Sequence, residues 1–215
     1  MKREPTGKSP GRPPTSEVAA GERRSQILHV AGDRFSRFGY GGASIGDIAR
    51  ETGISKASLL HHFGSKEALY AETMRNTLDQ IAMGIRFTIA EAVALPEQLV
   101  RLADVAIVAL QGEGDLGGWL RDAEEHLSPH ELTSVRASHA RMMHEVEVAM
   151  REGIARGELA SGDPRFLAHA FWVLLEGFGG REGIAAGFQG KHETAQAVVD
   201  LFLHGATSSF PQAPA

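Results

Sequence analysis

Lys56, Ala57, Leu60 and His61 place a cation, an imidazole and two apolar side chains within six residues. On a helix these positions share a face. Lys56 can donate to guanine O6 and N7 or to a phosphate, and His61 can reach a base edge or a phosphate. Ala57 and Leu60 offer apolar contact to a thymine methyl. Ser44, Ser55 and Lys66 stand at expected helix starts, where backbone N–H groups and the helix dipole favour a phosphate. The chemistry these types suggest is the reading of a DNA major groove. Other chemistries are poorly supplied. With Cys 0, disulfides, thiolate catalysis and cysteine-held zinc are excluded. Of the ten histidines, His126 and His130 are four apart but interrupted by Ser128-Pro129, a helix start. His139 and His144 are five apart, about 140° around a helix. No metal site and no cofactor are expected. No Ser-His-Asp order, phosphate-cradling glycine loop or nucleotide fingerprint is present, so the chain reads as no enzyme.

The residues that must hold such a face surround it. Ser44 is a good N-cap with Asp47 placed to complete a capping box, and Ile45, Ile48 and Ala49 share one face. Gly53 sits where a chain leaving a helix turns left-handed. Ser55 caps the next helix, in which Leu59 and Phe63 are four apart. Lys56, Ala57, Leu60 and His61 then point away from Leu59 and Phe63. Two short helices joined by a tight turn form a helix-turn-helix, whose second helix enters the major groove.

Segment 22–70 resembles the DNA-binding domain of the tetracycline-repressor (TetR) family. The matching residues are Arg24-Ser25-Gln26-Ile27-Leu28, Phe35 to Tyr40, Ser44 to Ala49, Gly53-Ile54-Ser55-Lys56 and His62 to Leu69. Family members usually carry an aromatic where Leu60 stands. The resemblance implies an all-α fold, with an N-terminal three-helix domain and a C-terminal helical ligand-binding and dimerisation domain, about nine helices in all.

The rest of the chain fits that outline. Residues 1–21 are rich in Pro, Gly, Ser and charge and read as a disordered basic arm, in which Lys8 to Pro14 could enter a minor groove. Residues 22–70 form the DNA-binding domain and 71–215 the helical ligand-binding and dimerisation domain. The first helix is expected from about Gly21 to Phe38, and a long fourth helix from the Ser65 cap to about Ala94. A fifth restarts at Leu95-Pro96, and Gly112 to Gly118 is read as a loop. A short helix carries Trp119. A further helix starts from a Ser128 to Glu131 capping box and reaches about Arg156. Another opens at Asp163-Pro164, and a last one covers roughly Glu193 to Thr207. No stretch alternates with strand period.

Gly153 to Leu159, followed by Asp163-Pro164, resembles the junction before the last two helices of TetR-family regulators, which pair across a two-fold axis. The interface residues this implies are Phe171, Leu174, Phe178, Val198, Leu201 and Phe202. Trp119, Met142, Met143, Phe171 and Trp172 are the candidates for an apolar ligand pocket between helices.

Charge divides the chain in the same place. Residues 1–70 hold 11 Lys and Arg against 7 Asp and Glu, a balance of +4, while residues 71–215 hold 11 against 20, a balance of −9. Phosphate attraction acts locally, so the overall −5 does not oppose a DNA partner. No apolar run approaches the roughly 20 residues of a membrane span, and the polar N-terminus lacks an export signal, so a cytoplasmic location is expected. The expected partners are double-stranded operator DNA, a second copy of the chain and an unidentified small-molecule effector, with no membrane. The reading is a homodimeric repressor released from its operator by that effector. The alternatives are an architectural or corepressor-dependent DNA-binding protein without an inducer, and a helical ligand-binding or catalytic domain.

Overall fold

The computed structural model describes residues 15–91, 93–113, 116–179, 183, 185–188 and 190–206. Among them stand nine helices and no strand. They are α1 (Thr15–Gly42), α2 (Ile45–Glu51), α3 (Lys56–Phe63), α4 (Lys66–Ile89) and α5 (Leu95–Glu113). α6 (Leu116–His126), α7 (Pro129–Ala155), α8 (Pro164–Gly179) and α9 (Lys191–Ala206) follow.

α4 is the central element. Leu69, Tyr70, Met74, Leu78 and Ile85 repeat at helical spacing and are fully buried, packing α4 against α7, α1 and α5. Each such side chain contributes about 1.5–3 kcal/mol by leaving water. α7 answers with Val135, Met142, Val146 and Met150, all fully buried. α8 packs on α7, α9 and α5. One contiguous core runs from Ile27 on α1 to Phe202 on α9. The expected boundary at residue 70 therefore lies inside α4.

Several boundaries differ from expectation. α1 begins at Thr15, not near Gly21, so part of the expected arm is helical. Glu17 in the first turn and Ala19-Ala20 favour helix more than the Pro-rich composition before them opposes it. The arm candidates Lys8 to Pro14 lie outside the described residues. α1 also continues past Phe38 to Gly42, kinked at Gly39, whose φ of 66° and ψ of 177° are not helical. α4 stops at Ile89 rather than near Ala94. Its end is capped from elsewhere: buried Gln98 of α5 donates from Nε2 to the carbonyls of Ile89 at 3.2 Å and Glu91 at 3.0 Å. The glycine-rich stretch expected as a loop is mostly helical, with α5 running to Glu113 and α6 starting at Leu116. Buried Trp119 and Ala123 on α6 offset the poor helical propensity of Gly117 and Gly118. At the far end of α7, a Cβ on Gly153 would meet Leu95 Cδ2 at 2.5 Å, so glycine there lets α5 approach.

Candidate nucleic-acid interface

The second helix of the expected motif is built locally. Ser44 caps α2 by accepting from Gly46 N at 3.2 Å, and Ser55 caps α3 by accepting from Ser58 N at 3.0 Å. Between them Gly53 adopts φ 70°, where a Cβ would be strained, and Ile54 N donates to Ala49 O at 2.9 Å. The expected capping box at Ser44 does not close. Asp47 turns its carboxylate to Arg50 at 2.5 Å instead, a neighbour three residues along the same face. Ile48, Ala49, Leu59 and Phe63 are buried, which sets the roll of α3 about its axis.

That roll decides the outward face. Lys56, Ala57 and His61 are exposed, together with Ser44 and Ser55. No carboxylate lies within ion-pair reach of Lys56 among the described residues. Two expected positions differ. Leu60 is half-buried and packs against the core, so only part of it faces outward. Lys66 is also half-buried, with Nζ 4.5 Å above the Tyr40 ring, a cation–π contact that holds the ammonium toward α1.

Arginines on α1 brace the motif from behind. Arg24 forks onto Glu72 of α4 at 2.7 and 2.6 Å and lies 4.5 Å above the Phe63 ring. Arg34 pairs with Glu51 of α2 at 2.6 Å. In the sequence these cations count only toward the positive balance of residues 1–70, and in the folded chain each is paired with a carboxylate.

A second polar assembly joins this unit to the remaining helices. Asp122 of α6 accepts through Oδ2 from the backbone N–H of Tyr40 at 2.8 Å and from the hydroxyl of Tyr70 at 2.8 Å. Phe35 meets Tyr70 edge-on at 4.7 Å, and Tyr40 lies 4.7 Å from the His126 ring. Burial, then the bond to Asp122, raises the Tyr70 hydroxyl well above the usual phenol range, so it stays a donor. One turn away, Glu67 accepts from Ser128 N at 2.7 Å. The expected capping box at Ser128 is thus only half internal. Ser128 accepts from Glu131 N at 3.5 Å, but the returning carboxylate is Glu67, while Glu131 pairs with Arg75 at 2.7 Å. The bond to Ser128 holds the Glu67 carboxyl below its ordinary value. Asp122, Tyr40, Tyr70 and Glu67 are not legible as a group, because the bonds Tyr40–Asp122, Tyr70–Asp122 and Glu67–Ser128 span 82, 52 and 61 residues.

The expected pocket residues Trp119, Met142, Met143, Phe171 and Trp172 are all buried, but their contacts separate them. Trp119 lies beside Tyr70 at 6.3 Å, Phe171 beside Phe202 at 5.0 Å, and Trp172 donates to Glu176 at 2.9 Å. The Trp119 indole N–H has no acceptor among the described residues, although its side chain is buried. Among the expected interface residues, Phe171, Val198 and Phe202 lie in the protomer's own core, a correction to that set. Leu174 and Phe178 are half-buried, and Leu201 is 56% exposed. The apolar side chains that α8 does present are Phe166 at 62% and Val173 at 64% exposure. α8 is apolar nearly all round, so periodicity could not say which stripe faces inward.

Residues 27–73 match the family model of bacterial regulatory proteins, tetR family. The HTH-type transcriptional repressor KstR2 of Rhodococcus jostii (strain RHA1) is 28% identical over 174 residues, 76% of this chain and 84% of KstR2. The HTH-type transcriptional regulator RutR of Escherichia coli (strain K12) is 44% identical over 61 residues, 28% of this chain and 29% of RutR. The crystal structure of AibR in complex with isovaleryl coenzyme A and operator DNA has the same fold, at TM-score 0.62 and 20% identity, covering 83% of this chain and 97% of AibR. A Ser-capped α3 with an exposed basic face, within the residues 27–73 that match the tetR family model, gives this segment the form of that family's DNA-binding unit, and the chain as a whole is similar to tetR-family regulators.

Proposed function

We propose that this chain is a homodimeric transcriptional repressor that binds operator DNA through α3 and leaves it when a small molecule binds the helical domain. The carrying observation is the outward face of α3, where Lys56, Ala57 and His61 stand exposed on a helix whose other side is locked by Leu59 and Phe63. The proposed contacts are Lys56 and His61 to bases or phosphates, Ala57 and the exposed part of Leu60 to a thymine methyl, and Ser44, Ser55 and Lys66 to phosphate. Residues 22–70 act as the DNA-binding unit and 71–215 as the effector and dimer unit. Such a regulator is not an enzyme and works in the cytoplasm, where its operator lies.

Dimerisation is proposed through α8 and α9, with Phe166, Val173 and Leu201 as exposed anchors and Leu174 and Phe178 at their edges. One short recognition helix gives weak specificity, and two reach successive half-sites. The effector reading is supported by the Trp119 indole N–H, a buried donor without an acceptor among the described residues, whose desolvation costs about 1–3 kcal/mol unless a ligand or water meets it. A named repressor relative and a neighbour bound to an acyl thioester point the same way. Release requires the effector to favour one of two arrangements, a coupling of about 1–3 kcal/mol. A second reading, a regulator without an inducer, is favoured by the packed state of the five expected pocket residues.

Selection of bound sequences from random DNA, followed by titration with acyl-CoA thioesters of several chain lengths, tests both. Recovery of a two-fold symmetric operator supports the first part. Release by a thioester in the parent but not in Trp119→Phe supports the second. A chain that selects no sequence overturns the DNA reading.

A further inference from the structure

The outer seam between α7 and α8 carries a concavity of about 360 Å³. His139 and His144 line it from α7, and Arg165 and His169 from α8. This gathering stands out in a region whose balance is −9. His139 and His144, five apart in sequence, reach one hollow because it straddles both helices.

The charges there are unanswered. Glu147 is the carboxylate in the lining, and its carboxylate is taken by Arg151 of the same helix. Asp163, just before α8, accepts from the Arg165 backbone N–H at 2.9 Å. The Arg165 guanidinium meets no carboxylate among the described residues. His169 directs Nδ1 to the Arg165 carbonyl at 2.9 Å, which leaves its Nε2 for the hollow. His139 is half-buried, and its imidazole is held below the ordinary range, first by burial and then by the charge of His169. The two rings therefore feel each other. The N-terminus of α8 adds partial positive charge to the same wall.

We propose that this concavity is a binding site for a phosphate-class oxyanion, a diphosphate or a phosphate ester. A guanidinium supplies a planar donor fork, and imidazoles beside it become donors as they protonate. The hollow exceeds the size of one oxyanion, leaving space for a second phosphate or an attached group. The site stands apart from α3 and does not rest on the effector reading above. It borders the exposed stripe of Phe166 and Val173, so an occupant would sit beside the proposed dimer seam.

The test follows the histidine ring resonances of the full-length protein by NMR, during titration with pyrophosphate, ADP and, at matched ionic strength, chloride. Pyrophosphate or ADP at millimolar concentration should move the His139 and His169 resonances, raise the His139 pKa and leave the His130 resonance unmoved. Arg165→Gln and His169→Gln should each weaken that binding about tenfold while the variants sediment as the parent does. ADP binding tighter than pyrophosphate identifies a phosphate ester as the source, and equal affinity identifies the free anion. Immobile His139 and His169 resonances with both phosphates, or equal shifts with chloride, overturn the proposal.

Discussion

The helix-turn-helix and the corner where α6 meets α1 and α4 are both held by hydrogen bonds, but of opposite reach. Around α2 and α3 the bonds run from Ser44 to Gly46, Ser55 to Ser58, Thr52 to Ile48 and Ile54 to Ala49. Each closes within five residues. At the corner, Asp122 holds Tyr40 across 82 residues and Tyr70 across 52, and Glu67 holds Ser128 across 61. A local network costs little chain entropy to close and forms wherever its segment forms. A distant network exists only once the whole bundle has assembled. The recognition element is thus self-specified, while its attachment to the remaining helices is a product of the fold. The attachment ties α6 to both α1 and α4.

Phe35 lies at the junction of the two, fully buried and edge-on to Tyr70. Phe35→Ala should cost about 3–5 kcal/mol, and all helices should melt in one transition. Calorimetry showing the N-terminal unit melting separately would break the claim that one core spans both regions. Asp122→Ala leaves the Tyr70 hydroxyl and Tyr40 N–H without their acceptor and should cost about 2–3 kcal/mol by denaturant unfolding. It should also weaken operator binding, although Asp122 is far from α3 in sequence. Unchanged operator affinity at full folding would show that the corner only stabilises.

Lys56→Ala and His61→Ala should each weaken specific operator binding by about 1–3 kcal/mol. Their melting temperatures should match the parent, because both side chains are exposed. Mobility-shift titration and a thermal scan together read the contrast with Asp122→Ala. Ser55→Ala removes the α3 cap and should cost about 1 kcal/mol, with local loss of amide protection in α3 by hydrogen exchange. Loss of protection extending to α6 would deny that the motif's bonds are local.

The smallest effect is in the acid limb. The Glu67 carboxyl is held below its ordinary value of 4.5, so its contribution is present above that pH and fades as pH falls through the lower folded value. Glu67→Gln should flatten the dependence of melting temperature on pH below about 4.5 and change little near neutrality. An unchanged acid limb would mean that the Ser128 bond has no net linkage.

Short-range signals made the all-α class, the order of the helices and the exposure of Lys56, Ala57 and His61 on α3 legible in the residues. The caps at Ser44, Ser55, Ser65 and Ser128, the turn at Gly53 and the apolar spacing of Ile48, Leu59 and Phe63 each act within one or two helical turns. Where a boundary depended on a distant partner, the reading slipped. The end of α4 is set by Gln98 reaching back from α5, and the Ser128 cap is completed by Glu67 from α4. Arg24 and Arg34 could be counted as positive charge, but only the folded chain pairs them with Glu72 and Glu51. The same holds for the expected interface: α8 shows apolar residues on almost every side, so only its packing against α5, α7 and α9 decides that Phe171 is core while Phe166 and Val173 face out. Propensity and capping are properties of neighbours in sequence. Burial and the pairing of charges belong to neighbours in space, which exist only after the helices have packed.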